Sequence, residues 1–162
     1  MKYIIILSLI LQGCGGGSGT AETQAKPTYV GDSLCARDGS PAKILGWLQD
    51  CQGGRKLIEV NELPKGKVYL GLGTNDNYRG VDILLFEHHL ISLLDSATES
   101  VTCVLPTINK YDSTQYRDVL IRLCDDFIDP HDSGVYGLLD GVHMTEQENY
   151  NLAQSLLDHY EL

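Results

Sequence analysis

Short apolar runs alternate with longer segments of helical periodicity along most of the chain, and this alternation constrains the fold more than any other feature. Strands are predicted at residues 28–30, 44–48, 67–72 and 101–105. Helices are predicted at residues 55–63, 82–97, 113–127 and from 145 onward. Such alternation is typical of a parallel sheet with helices on both faces. We therefore expect an α/β fold: a three-layer α/β/α sandwich around a flavodoxin-like, five-stranded parallel sheet.

The composition limits both the number of domains and the classes of partner. With 162 residues, 43% of them hydrophobic, the chain can bury one core and is short for two domains. It carries 12 Lys and Arg against 22 Asp and Glu, a formal net charge of −10. Because nucleic acids are bound through Lys and Arg on their phosphates, this charge argues against a nucleic-acid partner. Anionic lipid is disfavoured for the same reason, so membrane attachment would require an anchor.

The N-terminus has the pattern of an export signal that ends in such an anchor. Lys2 precedes an apolar run at residues 4–11, much shorter than the ~20 residues of a membrane-spanning helix. The segment from Leu11 to Cys14 resembles the lipobox of bacterial lipoproteins, in which the cysteine is acylated. An ordinary secretory peptide with a chance cysteine is the alternative.

These features divide the chain into three parts. We expect a signal peptide at residues 1–13, a Gly- and Ser-rich flexible tether at 14–27, and a folded domain at 28–162. The protein would then be exported and held at a bacterial membrane through Cys14, on the periplasmic or the cell-surface side. We expect the domain to be a monomer.

The predicted domain contains four cysteines: Cys35, Cys51, Cys103 and Cys124. An even number in an oxidising compartment predicts disulfides. Four cysteines allow three pairings, and their positions in the sequence alone do not choose among them. None has the spacing of zinc ligands, so no metal site is expected.

Three polar segments follow predicted strands or lie in a late loop, where α/β sheets build their sites. They are Gly31-Asp32-Ser33-Leu34, Gly73-Thr74-Asn75-Asp76 and Asp140-Gly141-Val142-His143. Each segment, taken alone, is more often an ordinary turn than a functional site. Together they contain the groups that ester cleavage needs: a hydroxyl, an imidazole base, a carboxylate that orients it and an amide for the oxyanion.

In this order, the three segments resemble three of the four sequence blocks of the GDSL, or SGNH, hydrolases, over about residues 28–160. The resemblance implies that Ser33 is the nucleophile and that His143 is the general base and then the general acid. It implies that Asp140 orients the imidazole. Asn75 and the backbone N–H of Ser33 would donate hydrogen bonds to the oxyanion.

The fourth block of the family is a glycine that completes the oxyanion hole from the loop after the second strand. Gly53 and Gly54 are the candidates, and Gly54 is favoured. If this assignment holds, Cys35 and Cys51 both lie near the site. The resemblance therefore favours a Cys35–Cys51 disulfide, which leaves Cys103 to pair with Cys124.

The resemblance implies a serine esterase that works through an acyl-enzyme without metal or cofactor. A domain of this size has little room for a cap, so we expect an open groove and short acyl or acetyl groups, carried by a glycan or a lipid. A lysophospholipase or thioesterase of the same family is one alternative. A non-catalytic surface lipoprotein that uses the fold as a binding module is the other.

Overall fold

The computed structural model describes residues 25–108, 110–136 and 138–161. Its sheet has five parallel strands in the order β2-β1-β3-β4-β5. The strands are β1 Thr28–Gly31, β2 Leu48–Cys51, β3 Val68–Gly71, β4 Val101–Val104 and β5 Asp126–Ile128. This strand order is flavodoxin-like, so the predicted fold class is confirmed.

Helices cover the two faces of this sheet. They are α1 Ser33–Ala36, α2 Pro41–Leu45, α3 Thr74–Tyr78, α4 Ile83–Ser96, α5 Thr114–Leu123 and α6 Glu146–Tyr160. Short 3-10 turns occur at Leu57–Glu59 and Pro130–Ser133. The long helices begin where the sequence predicts: Asp82 caps α4, and Thr145 and Glu148 form the capping box of α6.

The sheet divides the core into two clusters because successive strand residues point to opposite faces. On one face, Val30 and Leu70 belong to a cluster shared with α4 and α5. On the other, Tyr29 and Tyr69 belong to a cluster shared with α2 and α6. The result is three layers, and it leaves the carboxyl ends of the strands as the place where loops gather.

The register of β1 and β3 brings two of the predicted site segments together. These strands pair from Thr28 opposite Val68 to Gly31 opposite Gly71. Both strands therefore end at the same level, and the chain segments that follow leave the sheet side by side. Ser33 and Asn75 follow these strand ends within a few residues.

Three predicted elements are wrong in kind or in extent. The strand predicted at 44–48 begins only at Leu48, because Pro41 starts α2 and Gly46, with φ 62°, ends it. The helix predicted at 55–63 is only the 3-10 turn at Leu57–Glu59. The helix predicted at 113–127 stops at Leu123, since the chain becomes extended there and pairs with β4 as the fifth strand.

The cysteines lie in the two pairs that the resemblance favours. Cys35 and Cys51 join α1 to the end of β2, with Cα atoms 5.7 Å apart. Cys103 and Cys124 join β4 to the end of α5, with Cα atoms 6.2 Å apart. Both separations are in the range of disulfides. The first pair ties the short α1, which begins with Ser33, to the central sheet.

The predicted signal peptide and Cys14 lie outside the described residues, as does most of the predicted tether. Within the part of the chain that the structure describes, no helix has both the length and the apolar character required to cross a membrane.

Candidate active site

Ser33, His143 and Asp140 form a continuous hydrogen-bonded chain although Ser33 is 110 positions from His143. The Oγ atom of Ser33 lies 3.1 Å from Nε2 of His143. The Nδ1 atom of His143 lies 2.7 Å from Oδ2 of Asp140. An ionised carboxylate only accepts hydrogen bonds, so Nδ1 carries the proton and Nε2 presents its lone pair to Ser33. This is the arrangement in which an imidazole can take the proton of a serine.

The local fold of residues 140–143 holds the carboxylate in place. The other oxygen of Asp140, Oδ1, accepts the backbone N–H groups of Val142 and His143 at 3.0 and 2.8 Å. The pKa of Asp140 lies well below its usual range. The hydrogen bond from the His143 ring contributes most to this shift, and the hydrogen bond from the His143 backbone contributes next. Asp140 is therefore an ionised partner for the imidazole at neutral pH.

A tight turn from β1 into α1 presents the Ser33 hydroxyl. A Cβ on Gly31 would lie 3.0 Å from Cβ of Cys35 and 3.0 Å from the Tyr29 ring, so a side chain there would crowd the turn. The Asp32 side chain caps α1 by accepting the N–H of Leu34 at 2.9 Å. As the first helical residue, Ser33 has a backbone N–H without an acceptor inside the helix, and this N–H is available to an oxyanion.

Asn75 is held against the Ser33 turn by a buried carboxylate. Its Nδ2 atom donates to Oδ2 of Asp32 at 2.9 Å. An amide nitrogen carries two hydrogens, so the second N–H remains for another acceptor. Asp32 is only 1% exposed, and this burial raises its pKa to about 6. The Gly31-Asp32-Ser33-Leu34 motif by itself predicts no role for Asp32, and its contacts make it a positioning residue for Asn75.

Asp76 makes a second link, between α3 and the loop after β2. It is buried, and the N–H of Leu57 lies 3.0 and 2.8 Å from its two carboxylate oxygens. Burial raises the pKa of Asp76 to about 6. No local signal predicts this role for Asp76, because a Gly-Thr-Asn-Asp segment has the ordinary composition of a turn.

Gly54, the predicted third donor, lies in an open loop. It is exposed in the loop after β2 with φ 75°, and no heavy atom lies within 4 Å of the position its Cβ would take. The same holds for the space around Gly53. No described hydrogen bond joins Gly54 to Ser33 or Asn75, so its place in the oxyanion hole stays a prediction.

One cavity adjoins the hydrogen-bonded chain, and a second lies among the residues that neighbour it in sequence. One of about 250 Å³ is lined by His143 and by Leu34, Arg37, Asp38, Gly39, Met144, Glu146 and Asn149. A much smaller apolar one of about 20 Å³ is lined in part by Leu34, Thr74 and Met144, which are the sequence neighbours of Ser33, Asn75 and His143. Over the described residues, no group of three or more His, Cys, Asp or Glu side chains is placed to hold a metal ion.

The raised pKa of Asp32 predicts a measurable pH dependence of stability. The folded protein holds the Asp32 proton up to about pH 6, whereas an ordinary Asp loses it near 3.8. Stability from this group is therefore complete below pH 3.8 and lost as the pH rises through 6. We expect Asp32→Asn to remove this loss. Between pH 4 and pH 7 the free energy of unfolding should then fall less in the variant than in the parent, and the difference should be on the order of 2–3 kcal/mol.

Urea unfolding at pH 4, 5.5 and 7 measures this difference. Asp95→Asn, a change of the same charge on the exposed face of α4, is the control and should follow the parent protein. Parallel pH curves for Asp32→Asn and the parent would contradict the burial argument.

No protein-family model matches this sequence, and no curated protein matches it. Solved structures do. A carbohydrate acetylesterase from Sinorhizobium meliloti is 14% identical with a TM-score of 0.63, covering 84% of this chain and 98% of that one. An aryl esterase from M. smegmatis is 17% identical with a TM-score of 0.61, covering 85% and 99%.

A member of the lipolytic protein G-D-S-L family from Veillonella parvula is 15% identical with a TM-score of 0.60, covering 82% of this chain and 96% of that one. Similarity at this level of identity is similarity of fold, because the same fold hosts several activities. The chain has the fold of the G-D-S-L, or SGNH, esterases.

Proposed function

We propose that this protein is a serine esterase that hydrolyses carboxylic esters through an acyl-enzyme on Ser33. The observation that carries the proposal is the unbroken chain of contacts from the Ser33 hydroxyl through His143 to Asp140, at 3.1 and 2.7 Å. Serine is a weak nucleophile at neutral pH unless an adjacent base takes its proton. The similarity of fold to esterases supports the same assignment.

In the proposed reaction, Oγ of Ser33 attacks the ester carbonyl carbon while Nε2 of His143 takes the hydroxyl proton. The carbonyl oxygen becomes an oxyanion, which the Ser33 backbone N–H and the second N–H of Asn75 stabilise. His143 then gives the proton to the leaving alcohol, and the acyl group stays on Ser33. Water repeats the sequence, with His143 again as base, and releases the carboxylic acid.

The small apolar cavity supports a short acyl group. Its volume of about 20 Å³ is close to the least that holds one water-sized group, so it has room for a methyl and not for a chain. Leu34, Thr74 and Met144 line this cavity. We infer that acetyl is the acyl group that fits best, with its methyl directed into the cavity.

The larger cavity supports a polar leaving group. It has about 250 Å³ of space beside His143 and is lined mainly by polar side chains, among them Asn149 and Glu146. A sugar hydroxyl fits such a lining better than an acyl chain does. We therefore propose an acylated glycan as the substrate rather than a lysophospholipid or a thioester.

We also propose that the protein is exported and anchored through an acylated Cys14. The lipobox-like segment that ends at Cys14 carries this proposal. The close approach of Cys35 to Cys51 and of Cys103 to Cys124 supports it, because disulfides persist outside the cytosol.

Purified protein assayed on p-nitrophenyl acetate tests the proposed activity. We expect Ser33→Ala to lower kcat at least 1000-fold, because the acyl-enzyme can no longer form. Ser92→Ala, at an exposed position of α4, is the matched control and should keep the parent rate. Equal rates for Ser33→Ala and the parent would remove the enzyme proposal and favour a non-catalytic binding module.

A series of p-nitrophenyl esters tests the inferred acyl group. We expect kcat/KM to fall at least tenfold from acetate to butyrate, since the small cavity cannot take two further methylenes. Met144→Ala should enlarge the cavity and narrow or reverse this preference. A parent enzyme that prefers octanoate would contradict the assignment of this cavity to the acyl group.

A further inference from the structure

The basic side chains of this acidic protein fall into two groups. Among the described residues, five are paired with carboxylates within 4.0 Å: Lys43, Arg55, Lys56, Arg117 and Arg122. Of those without such a partner, Lys26, Lys65 and Lys67 precede β1 and β3, at the amino end of the sheet. The others, Arg37, Arg79 and Lys110, lie at the carboxyl end, around the candidate active site.

Each of these three residues is hydrogen-bonded to a different segment of the candidate active site. The backbone N–H of Arg37 donates to the carbonyl of Ser33 at 3.3 Å, one helical turn away. That of Arg79 donates to the carbonyl of Asn75 at 2.9 Å, also one turn away.

Lys110 reaches the third site residue through its side chain. Its Nζ atom donates to the backbone carbonyl of Asp140 at 3.3 Å, and its backbone N–H donates to the carbonyl of Gly141, also at 3.3 Å. Arg37, Arg79 and Lys110 are therefore three cations without a carboxylate partner within 4.0 Å among the described residues, all at the carboxyl end of the sheet.

The cationic groups of Arg79 and Lys110 lie over the rings of two tyrosines that are in contact with each other. The rings of Tyr78 and Tyr111 are in contact, with centroids 4.7 Å apart. The guanidinium of Arg79 lies 5.2 Å from the Tyr78 centroid, and Nζ of Lys110 lies 5.2 Å from the Tyr111 centroid. Asn77 donates to the carbonyl of Tyr111 and so joins the two segments. We call these four residues, Tyr78, Arg79, Lys110 and Tyr111, the tyrosine ledge.

We propose that the tyrosine ledge binds a carboxylate-bearing sugar of the glycan substrate, next to the sugar whose acyl group Ser33 removes. This rests on the proposed esterase function. Tyr78 is 53% exposed, and an exposed aromatic ring offers a flat apolar surface to the C–H face of a pyranose. A guanidinium and an ammonium beside it are the groups that bind a carboxylate.

Among the described residues, neither Arg79 nor Lys110 has a carboxylate oxygen within 4.0 Å, so neither cation is held in an ion pair. Asp140 directs its carboxylate to His143, and Asp112, which follows Tyr111, directs its carboxylate to Thr114. A neutral glycan would gain nothing from two exposed cations. A lipid surface would need a broad basic face, which a chain with 22 acidic residues lacks. A uronic acid residue can contact the tyrosine rings with its sugar face and the two cations with its carboxylate.

Binding to the Ser33→Ala protein tests the ledge without any turnover. The probe is an oligogalacturonate free of acetyl groups, titrated calorimetrically. We expect the double variant Arg79→Gln, Lys110→Gln to bind the oligogalacturonate at least tenfold more weakly than its parent. The single variant Arg79→Lys keeps the charge and should retain most of the parent's affinity. Lys26→Gln with Lys65→Gln removes the same charge at the other end of the sheet and should bind like its parent. Raising the salt concentration should weaken binding by the parent and by this control variant, and should change the residual binding of the Arg79→Gln, Lys110→Gln protein less.

Turnover of acetylated polymers provides the second readout. We expect the rate on acetylated polygalacturonate, divided by the rate on acetylated xylan, to fall at least tenfold in the ledge variant and to stay unchanged in the control variant. If the protein binds oligogalacturonate through the ledge but lacks esterase activity, the proposed function is contradicted and the ledge proposal stands. Absence of oligogalacturonate binding, equal binding by both double variants, or binding only to phosphatidylglycerol vesicles would each overturn the ledge proposal.

Discussion

The parallel pairing of β1 with β3 is the constraint on which the site depends. Because Gly31 lies opposite Gly71, two segments 40 residues apart leave the sheet at one level. The hydrogen bond from Asn75 to Asp32 then fixes the amide beside the Ser33 turn. A slip of one residue in this register would turn the strand side chains to the wrong faces and separate the two segments.

Two buried carboxylates, Asp32 and Asp76, connect the loops at this edge. Each has a pKa raised to about 6 by burial, which means that its charge is costly to the folded protein above that pH. Each offsets part of that cost by accepting N–H groups from a neighbouring segment. We infer that burying these carboxylates lowers the stability of the fold at neutral pH, and that their role is to align the segments around Ser33.

Much of this arrangement could be predicted from the sequence, where local chemistry determines the outcome. The caps of α4 and α6 and the buried strands β3 and β4 follow from patterns within a few residues. The position of the fifth strand could not be predicted, because its residues continue the helical stripe of α5 and become a strand only by pairing with β4. The contacts of Asp32 and Asp76 likewise depend on segments distant in sequence, and the surroundings of Gly54 depend on a loop that no local pattern specifies.

Labelling with a fluorophosphonate tests the central claim most directly, because this reagent phosphonylates a serine only when a neighbouring base activates it. The account predicts one adduct per chain, located on Ser33 by peptide mass spectrometry and absent from the His143→Ala protein. An unlabelled Ser33, or equal labelling with and without the imidazole, would contradict it.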